Sequence, residues 1–287
     1  MTRETRVFGL IGYPLSHSLS PGYFAEKFLR EGIADARYEA FPLASIQEFP
    51  DLLRREPNLC GLNVTIPYKQ SVMAYLDAID DDARAIGAVN TIHFGPDGRL
   101  TGYNTDWIGF LASIQPLLDQ WAKGPSTRTA ESAAASHAAA VGNATASGKS
   151  ATASHPAASG ALVLGTGGSS KAVHFAMRKI GFQTRSVSRT QGPAVDYTYG
   201  ELTPEVLRQY PVIINCTPLG MHPDVLSRPE IPYEMLSYNN LLFDLVYNPE
   251  KTIFLTKGEL AGATIGNGLV MLYGQAEAAW GIWEGGA

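Results

Sequence analysis

Seven residues carry the first chemical signal: Asn63-Val64-Thr65-Ile66-Pro67-Tyr68-Lys69. They read as an exposed strand end running into a helix start. On a strand, Asn63 and Thr65 are two apart and point to the same face. Pro67 suits the first helical position, where its missing N–H costs nothing. Lys69 then falls in the first helical turn. The positive end of the helix dipole disfavours an ammonium there, which gives a lysine reason to exchange a proton as an acid or base. Taken alone, the stretch reads at least as well as a solvated lysine after a polar loop.

The second signal is Gly165-Thr166-Gly167-Gly168-Ser169-Ser170, after an apolar run at 161–164 and before Val173, Ala176, Met177 and Ile180 at helical spacing. Strand, glycine turn and helix together form a dinucleotide cradle. The glycines permit a tight turn and let a pyrophosphate approach the helix N-terminus. Ser170 takes the third motif position, small enough for close packing. An acid at the end of the next strand would bind the ribose hydroxyls of NAD. Ser188-Arg189-Thr190 stands there instead. A guanidinium offers a charged planar fork to a 2′-phosphate, which favours NADP. Arg189 also reads as a surface arginine after a strand.

These residues need elements to position them. Residues 7–12 read as a buried strand, and Ser20 before Pro21 as an N-cap with proline at the first helical position. Ser20 is then cap, ligand or both. Residues 36–43 and 59–66 read as strands and 46–55 as a helix, an alternation that predicts a parallel sheet. The helix from Lys69 continues to about Leu76, and residues 80–84 are acidic and turn-like. Residues 87–94 and 99–106 are strands joined by a hairpin turn at Gly95-Pro96-Asp97-Gly98. Residues 107–118 read as a helix with Asp106 as N-cap. Further on, 184–188, 212–216, 241–245 and 263–265 read as strands, 252–260 as a helix, and 268–283 as a final amphipathic helix. Residues 123–160 differ in kind: Ala, Ser, Thr and Gly make up 28 of 38. Such a segment cannot bury enough surface to offset its ordering entropy and reads as a flexible insertion.

The chain has 287 residues, 45% hydrophobic and 17% charged, enough for two globular domains. Its net charge of −5 is dispersed, with no basic stripe for nucleic acid or an acidic membrane. No apolar run approaches the ~20 residues of a membrane span. The start of the chain runs into an apolar strand without a signal-peptide pattern. Cys60 and Cys216 lie far apart in apolar settings, as free thiols do in a reducing cytoplasm. Neither they nor the six histidines have metal-ligand spacing, so no metal is expected.

Several stretches together resemble the shikimate dehydrogenase family. His17-Ser18-Leu19-Ser20-Pro21, the 63–69 heptapeptide, Gly87-Ala88-Val89-Asn90-Thr91 and Asn104-Thr105-Asp106 are similar to the family's substrate-domain motifs, in order. The glycine turn, Asn215-Cys216-Thr217-Pro218-Leu219-Gly220-Met221, Asp244-Leu245-Val246-Tyr247-Asn248-Pro249 and residues 268–275 are similar to its nucleotide-domain signatures. The resemblance spans everything except residues 123–160. It implies a two-domain α/β enzyme that reduces 3-dehydroshikimate to shikimate with NADPH, the near alternative being a quinate/shikimate dehydrogenase with mixed NAD/NADP use. The domains implied are a substrate domain at 1–106, a connecting helix at 107–122, the insertion at 123–160, a Rossmann-like, doubly wound dinucleotide domain at 161–267, and a helix at 268–287 returning to the substrate domain.

By resemblance, Lys69 and Asp106 are the catalytic pair. Ser18, Ser20, Asn63, Thr65, Asn90, Tyr247 and Gln275 hold the substrate. Gly165, Gly167, Gly168, Ser169 and Arg189 hold the cofactor, with Met221, Gly268 and Met271 beside the nicotinamide. The residue chemistry agrees, since a polyol carboxylate calls for neutral hydrogen-bonding groups, and hydride transfer needs a proton moved at the reacting carbon's oxygen. Other roles remain open for some of them. Asp106 is also a helix cap and Asn90 a strand terminator, Gln275 reads as an exposed helix residue, Met271 as core, and Asn215 and Thr217 as loop caps. The second basic residue that the family carries after Arg189 is missing, which weakens the 2′-phosphate site without changing its sign. The expected partners are a small-molecule substrate and cofactor, in a cytoplasmic monomer or homodimer.

Overall fold

The computed structural model describes residues 5–16, 18–124 and 160–285. The chain divides into two units, Met1–Thr105 with Ala276–Ala287, and Asp106–Gln275. His17 and most of the 123–160 insertion lie outside the described residues.

The first unit is built on strands β1 (Arg6–Gly12), β2 (Ala36–Pro42), β3 (Leu59–Val64), β4 (Ala78–Ile79), β5 (Thr91–Phe94) and β6 (Leu100–Tyr103), in the order β2-β1-β3-β5-β6-β4. β1 pairs in parallel with β2 and β3, as expected. β5, however, runs antiparallel to both β3 and β6, so the sheet is mixed. The reason is the tight turn after β5. Gly98 N donates to the Gly95 carbonyl at 2.9 Å, and so short a connection can join only antiparallel strands.

Three helices accompany this sheet: α1 (Ser20–Glu31), α2 (Phe49–Arg55) and α3 (Asp81–Ile86). α3 replaces the turn expected at 80–84. Asp80 caps it, accepting from Asp82 N at 3.0 Å and Ala83 N at 3.3 Å, and Asp81 and Asp82 stand at its positive end. Alternate residues of β1 feed two cores. Val7 and Ile11 join Leu43, Phe49, Leu62 and Ile92. Phe8 joins Phe24, Phe28, Trp280 and Trp283, where Phe8 lies 5.1 Å and 5.0 Å from the two tryptophan rings. Trp283 also donates to the Ile92 carbonyl at 3.0 Å, and buried Lys27 reaches Glu277 at 2.8 Å. The end of the chain is thereby held by both packing and charge.

The second unit contains β7 (Gly160–Leu164), β8 (Gln183–Ser188), β9 (Tyr197–Thr198), β10 (Val212–Asn215), β11 (Leu241–Asp244) and β12 (Thr264–Asn267). Its order is β12-β11-β10-β7-β8-β9, and every pairing is parallel. Numbered one to six along the chain, that is 3-2-1-4-5-6, the doubly wound dinucleotide-binding order. Its helices are α4 (Asp106–Ala122), α5 (Gly168–Lys179), α6 (Pro204–Gln209), α7 (Ile253–Leu260) and α8 (Leu269–Trp283). The central strands β7, β10 and β11 are buried on both faces, with Ala161, Val163, Val212 and Ile214 in one core and Leu162, Leu164 and Ile213 in the other. That is why they read as unbroken apolar runs.

α8 is not the one-faced amphipathic helix expected. Met271 packs in the second unit's core, and the division between units falls after Gln275, so Ala276, Ala279, Trp280 and Trp283 serve the first. Its earlier half crosses α4 closely. A Cβ on Gly274 would lie 3.0 Å from Gly109 Cα, so both positions need glycine.

Candidate active site

In the first unit the 63–69 stretch is positioned differently from the sequence expectation. β3 ends at Val64, and Thr65 N still donates to the Ile11 carbonyl at 2.9 Å. Residues 66–70 are turns, and the next helical residues are the short 3-10 segment Ser71–Tyr75. Pro67 therefore does not open an α-helix, and no helix dipole bears on Lys69. The physical cause is tertiary: Val89 N takes the Lys69 carbonyl at 2.7 Å, so that oxygen is not available to a helical ladder. Tyr13 N binds the Ile66 carbonyl at 3.1 Å, and the Tyr68 hydroxyl donates to the Leu43 carbonyl at 2.6 Å. The loop is held from three sides, with Lys69 half-buried upon it.

The same unit holds a chain of polar groups, most of them buried. Ser20 is the first residue of α1 rather than its N-cap; Ser18 Oγ instead accepts from Ser20 N at 3.4 Å. The Ser20 hydroxyl bonds to Tyr38, a partly buried residue whose phenol is pushed by burial well above its ordinary pKa against the pull of Ser20. Tyr38 donates to Asn63 Oδ1 at 2.8 Å. Asn63 Nδ2 faces Thr91 Oγ1 at 3.3 Å and the Asn90 carbonyl at 3.4 Å. Asn90 Nδ2 donates to Thr105 Oγ1 at 3.0 Å, and Asn90 Oδ1 accepts from Thr105 N at 2.6 Å. Ser18, Ser20, Asn63 and Asn90 are thus brought into one network. Sequence reasoning missed its other members, Tyr38, Thr91 and Thr105. Tyr38 lies on the partly exposed strand β2 and Thr105 in the loop before α4, positions that carry no local signal of a shared network.

Asp106 is buried and is the first residue of α4, not the cap outside it. Tyr247 and Gln275, also expected at the substrate, belong to the second unit. Gln275 is buried, not exposed, and Nε2 donates to the Leu272 carbonyl of its own helix at 2.9 Å. Burial raises the Tyr247 phenol above its usual range.

In the second unit every expected cofactor residue except Met271 stands where a strand's carboxyl end gives way to a loop or a helix start. Gly165 follows β7 at φ 102°, a conformation that favours glycine, and Gly165 N donates to the Val187 carbonyl of β8 at 2.8 Å. Gly168 and Ser169 form the start of α5, and Ser170 Oγ closes the turn onto the Gly167 carbonyl at 2.7 Å. A Cβ on Gly167 would meet no protein atom, so the protein's own packing does not require glycine there. The open space beside it suits a pyrophosphate approaching the helix N-terminus. Arg189 is exposed just after β8, close enough to Tyr199 to bear on its phenol. Met221 follows β10 and is exposed, Gly268 follows β12 against the Leu245 backbone, and Met271 is buried core. The loops after β10 and β11 meet where His222 N donates to the Asn248 carbonyl at 3.2 Å. Among the described residues no cluster of metal-ligating side chains occurs.

Residues 10–92 match the shikimate dehydrogenase substrate binding domain. Over 302 residues the chain is 33% identical to the shikimate dehydrogenase (NADP(+)) of Caldanaerobacter subterraneus subsp. tengcongensis, covering 98% of this chain and 92% of that one. This chain belongs to the shikimate dehydrogenase family. A shikimate dehydrogenase from Geobacillus kaustophilus is also 33% identical, over 293 residues, with 98% and 93% covered. Among solved structures, the shikimate dehydrogenase of Thermus thermophilus in complex with NADP(H) and shikimate superposes with a TM-score of 0.74 at 30% identity, covering 98% of this chain and 94% of that one.

Asp244 is a buried charged residue to which sequence reasoning gave no role. It is fully buried at the end of β11, and burial raises its carboxyl to about 6 against the pull of its hydrogen bonds. Its signal was an acid closing a four-residue apolar strand.

Proposed function

We propose that this chain catalyses the reversible reduction of 3-dehydroshikimate to shikimate with NADPH. The observation that carries the reading is the presence of both halves of the required chemistry in one family member. The first unit holds Lys69 and a built network of neutral hydrogen-bonding groups, and the second holds an open glycine turn with Arg189 just after the next strand.

NADPH, when bound, supplies the hydride; the protein supplies orientation and proton handling. Gly165, Gly167, Gly168 and Ser169 would hold its pyrophosphate and Arg189 its 2′-phosphate, with Met221, Gly268 and Met271 toward the nicotinamide. Ser18, Ser20, Asn63, Thr65, Asn90, Tyr247 and Gln275 would orient the substrate's hydroxyls and carboxylate. Lys69 gives a proton to the carbonyl oxygen as it is reduced, and Asp106 orients the ammonium by a charge-assisted hydrogen bond. The neutral side chains select a polyol by hydrogen bonding, where an unpaired group in the site penalises an analogue lacking a hydroxyl. The protein acts as a cytoplasmic monomer or homodimer.

The test is chemical. Purified chain supplied with 3-dehydroshikimate and NADPH should consume both in equal amounts and yield shikimate by chromatography. NADPH consumption without shikimate would refute the reading.

A further inference from the structure

We propose that Asp244 is a positioning residue for the cofactor: its buried carboxylate, acting through Asn215 and Thr217, holds the 215–221 loop against the glycine turn at Gly165. The proposal rests on the reading of the second unit as the NADP-binding half. β7 and β10 are neighbours in the sheet, and here the strand order changes direction. In such folds the ligand crevice lies at that point, outside the strands' carboxyl ends. Gly165 follows β7 and the 215–221 loop follows β10, so both flank it.

The hydrogen bonds run in one direction from Asp244. Its Oδ2 accepts from Thr252 Oγ1 at 2.6 Å, while Oδ1 accepts from Asn215 Nδ2 at 2.9 Å and Val246 N at 3.0 Å. With its amide nitrogen turned to Asp244, Asn215 presents its oxygen to Thr217, accepting from Thr217 N at 3.0 Å and Oγ1 at 2.6 Å. Thr217 Oγ1 in turn accepts from Leu219 N at 3.3 Å. The Thr217 methyl then sits 3.1 Å from where a Cβ on Gly165 would be. Thr252 also caps α7 through Leu255 N at 3.4 Å and lies 3.2 Å from a Cβ position on Gly220, at the far end of the same loop.

All three donors to Asp244 are neutral. A carboxylate is the group that can accept from all of them and donate to none. An asparagine there has a single acceptor oxygen: with it on Val246 N and Asn215 Nδ2, its N–H meets Thr252 Oγ1, whose hydroxyl must turn from donor to acceptor; with it on Thr252, its N–H opposes both Val246 N and Asn215 Nδ2. If Asn215 flips, Thr217 faces an amide N–H and the loop loses its stop against Gly165.

Two variants test this: Asp244→Asn, and Thr217→Val, which keeps the methyl and deletes the hydroxyl. Calorimetric titration with NADP+ alone should give a dissociation constant about tenfold weaker in each, the scale of one well-placed hydrogen bond. Steady-state kinetics should show the same rise in KM for NADP+, with KM for shikimate within about twofold of the wild type. The exchange Asn215→Asp with Asp244→Asn restores a carboxylate–amide pair and should recover most of the NADP+ affinity. Wild-type NADP+ affinity in Asp244→Asn, with only a lower Tm, would overturn the proposal. Should Asp244→Asn not fold, unchanged affinity in Thr217→Val would overturn it equally. The titration needs no turnover, so a wild type that binds NADP+ but leaves shikimate untouched would refute the proposed function and leave this inference standing.

Discussion

Lys69 owes its place to the Val89 N–H that takes its carbonyl and to the Tyr68 side chain anchored under Leu43. Those bonds use backbone and neighbour, not the lysine side chain, so Lys69→Ala should remove the proton donor and leave the loop intact. Turnover should fall by about 10²–10⁴-fold, the usual contribution of a positioned acid or base, with Tm nearly unchanged. Near-normal kcat in a folded variant would rule Lys69 out. Arg189 is exposed just after β8, where the proposed role is to meet the 2′-phosphate. Arg189→Ala should raise KM for NADP+ well above any change in KM for NAD+; equal changes would exclude a 2′-phosphate role.

At the scale of elements, a partly buried and a buried group of the second unit respond to acid in opposite senses. His174 of α5, bonded to Ser186 Oγ at 2.9 Å, is held down to about 4 by burial and by Arg178, with Asp196 opposing. As pH falls below the unfolded value of about 6.5, the unfolded chain takes the proton first, so His174 costs stability from there to about pH 4. Asp244 is raised by burial to about 6. Between about 4 and 6 the folded state holds the proton more tightly, so acidification through that window is stabilising. Each effect is at most about 3 kcal/mol, and they largely cancel. Melting curves from about pH 7 to pH 4.5 should therefore show His174→Gln less acid-sensitive than wild type and Asp244→Asn more so. Superimposable pH profiles would contradict both assignments.

The same scale shows what was legible in the sequence. The glycine turn, β7 and α5 could be read because local signals coincide: an apolar run, then Gly165, then helical spacing. The parallel second sheet followed from strands buried on both faces. The 3-10 segment after Lys69 was misread as an α-helix, because what stops the ladder is Val89, twenty positions on. The cap reading of Ser20 failed, its hydroxyl bonding to Tyr38 on β2, while the ligand reading stays open. α6 had a legible start in Thr203-Pro204, where Thr203 Oγ1 accepts from Val206 N at 3.4 Å, and the Tyr-rich stretch before it hid the signal. Of the hydrogen-bonded network in the first unit, Ser18, Ser20, Asn63 and Asn90 were singled out in the sequence, whereas Tyr38 and Thr105, which bond to them, were not. Groups that orient other groups are defined by tertiary neighbours, and sequence spacing does not reveal these.

For the whole molecule, two units with separate cores and separate sheets each carry part of one reaction's requirements. The alanine- and serine-rich residues 123–160 run from the end of α4 to the first residue of β7, so a bridge that keeps a glycine at position 160 leaves the elements of both cores in place. Replacing them by a short Gly/Ser bridge should keep kcat and both KM values within about threefold, since loop length enters stability only logarithmically. A large loss would show the insertion to be more than a tether. The central claim is that these units together make an NADP-dependent shikimate dehydrogenase. The most direct test is a spectrophotometric comparison of shikimate and quinate, each with NADP+ and with NAD+. Shikimate with NADP+ should have the highest kcat/KM of the four pairs; a preference for quinate, or for NAD+, would contradict the account.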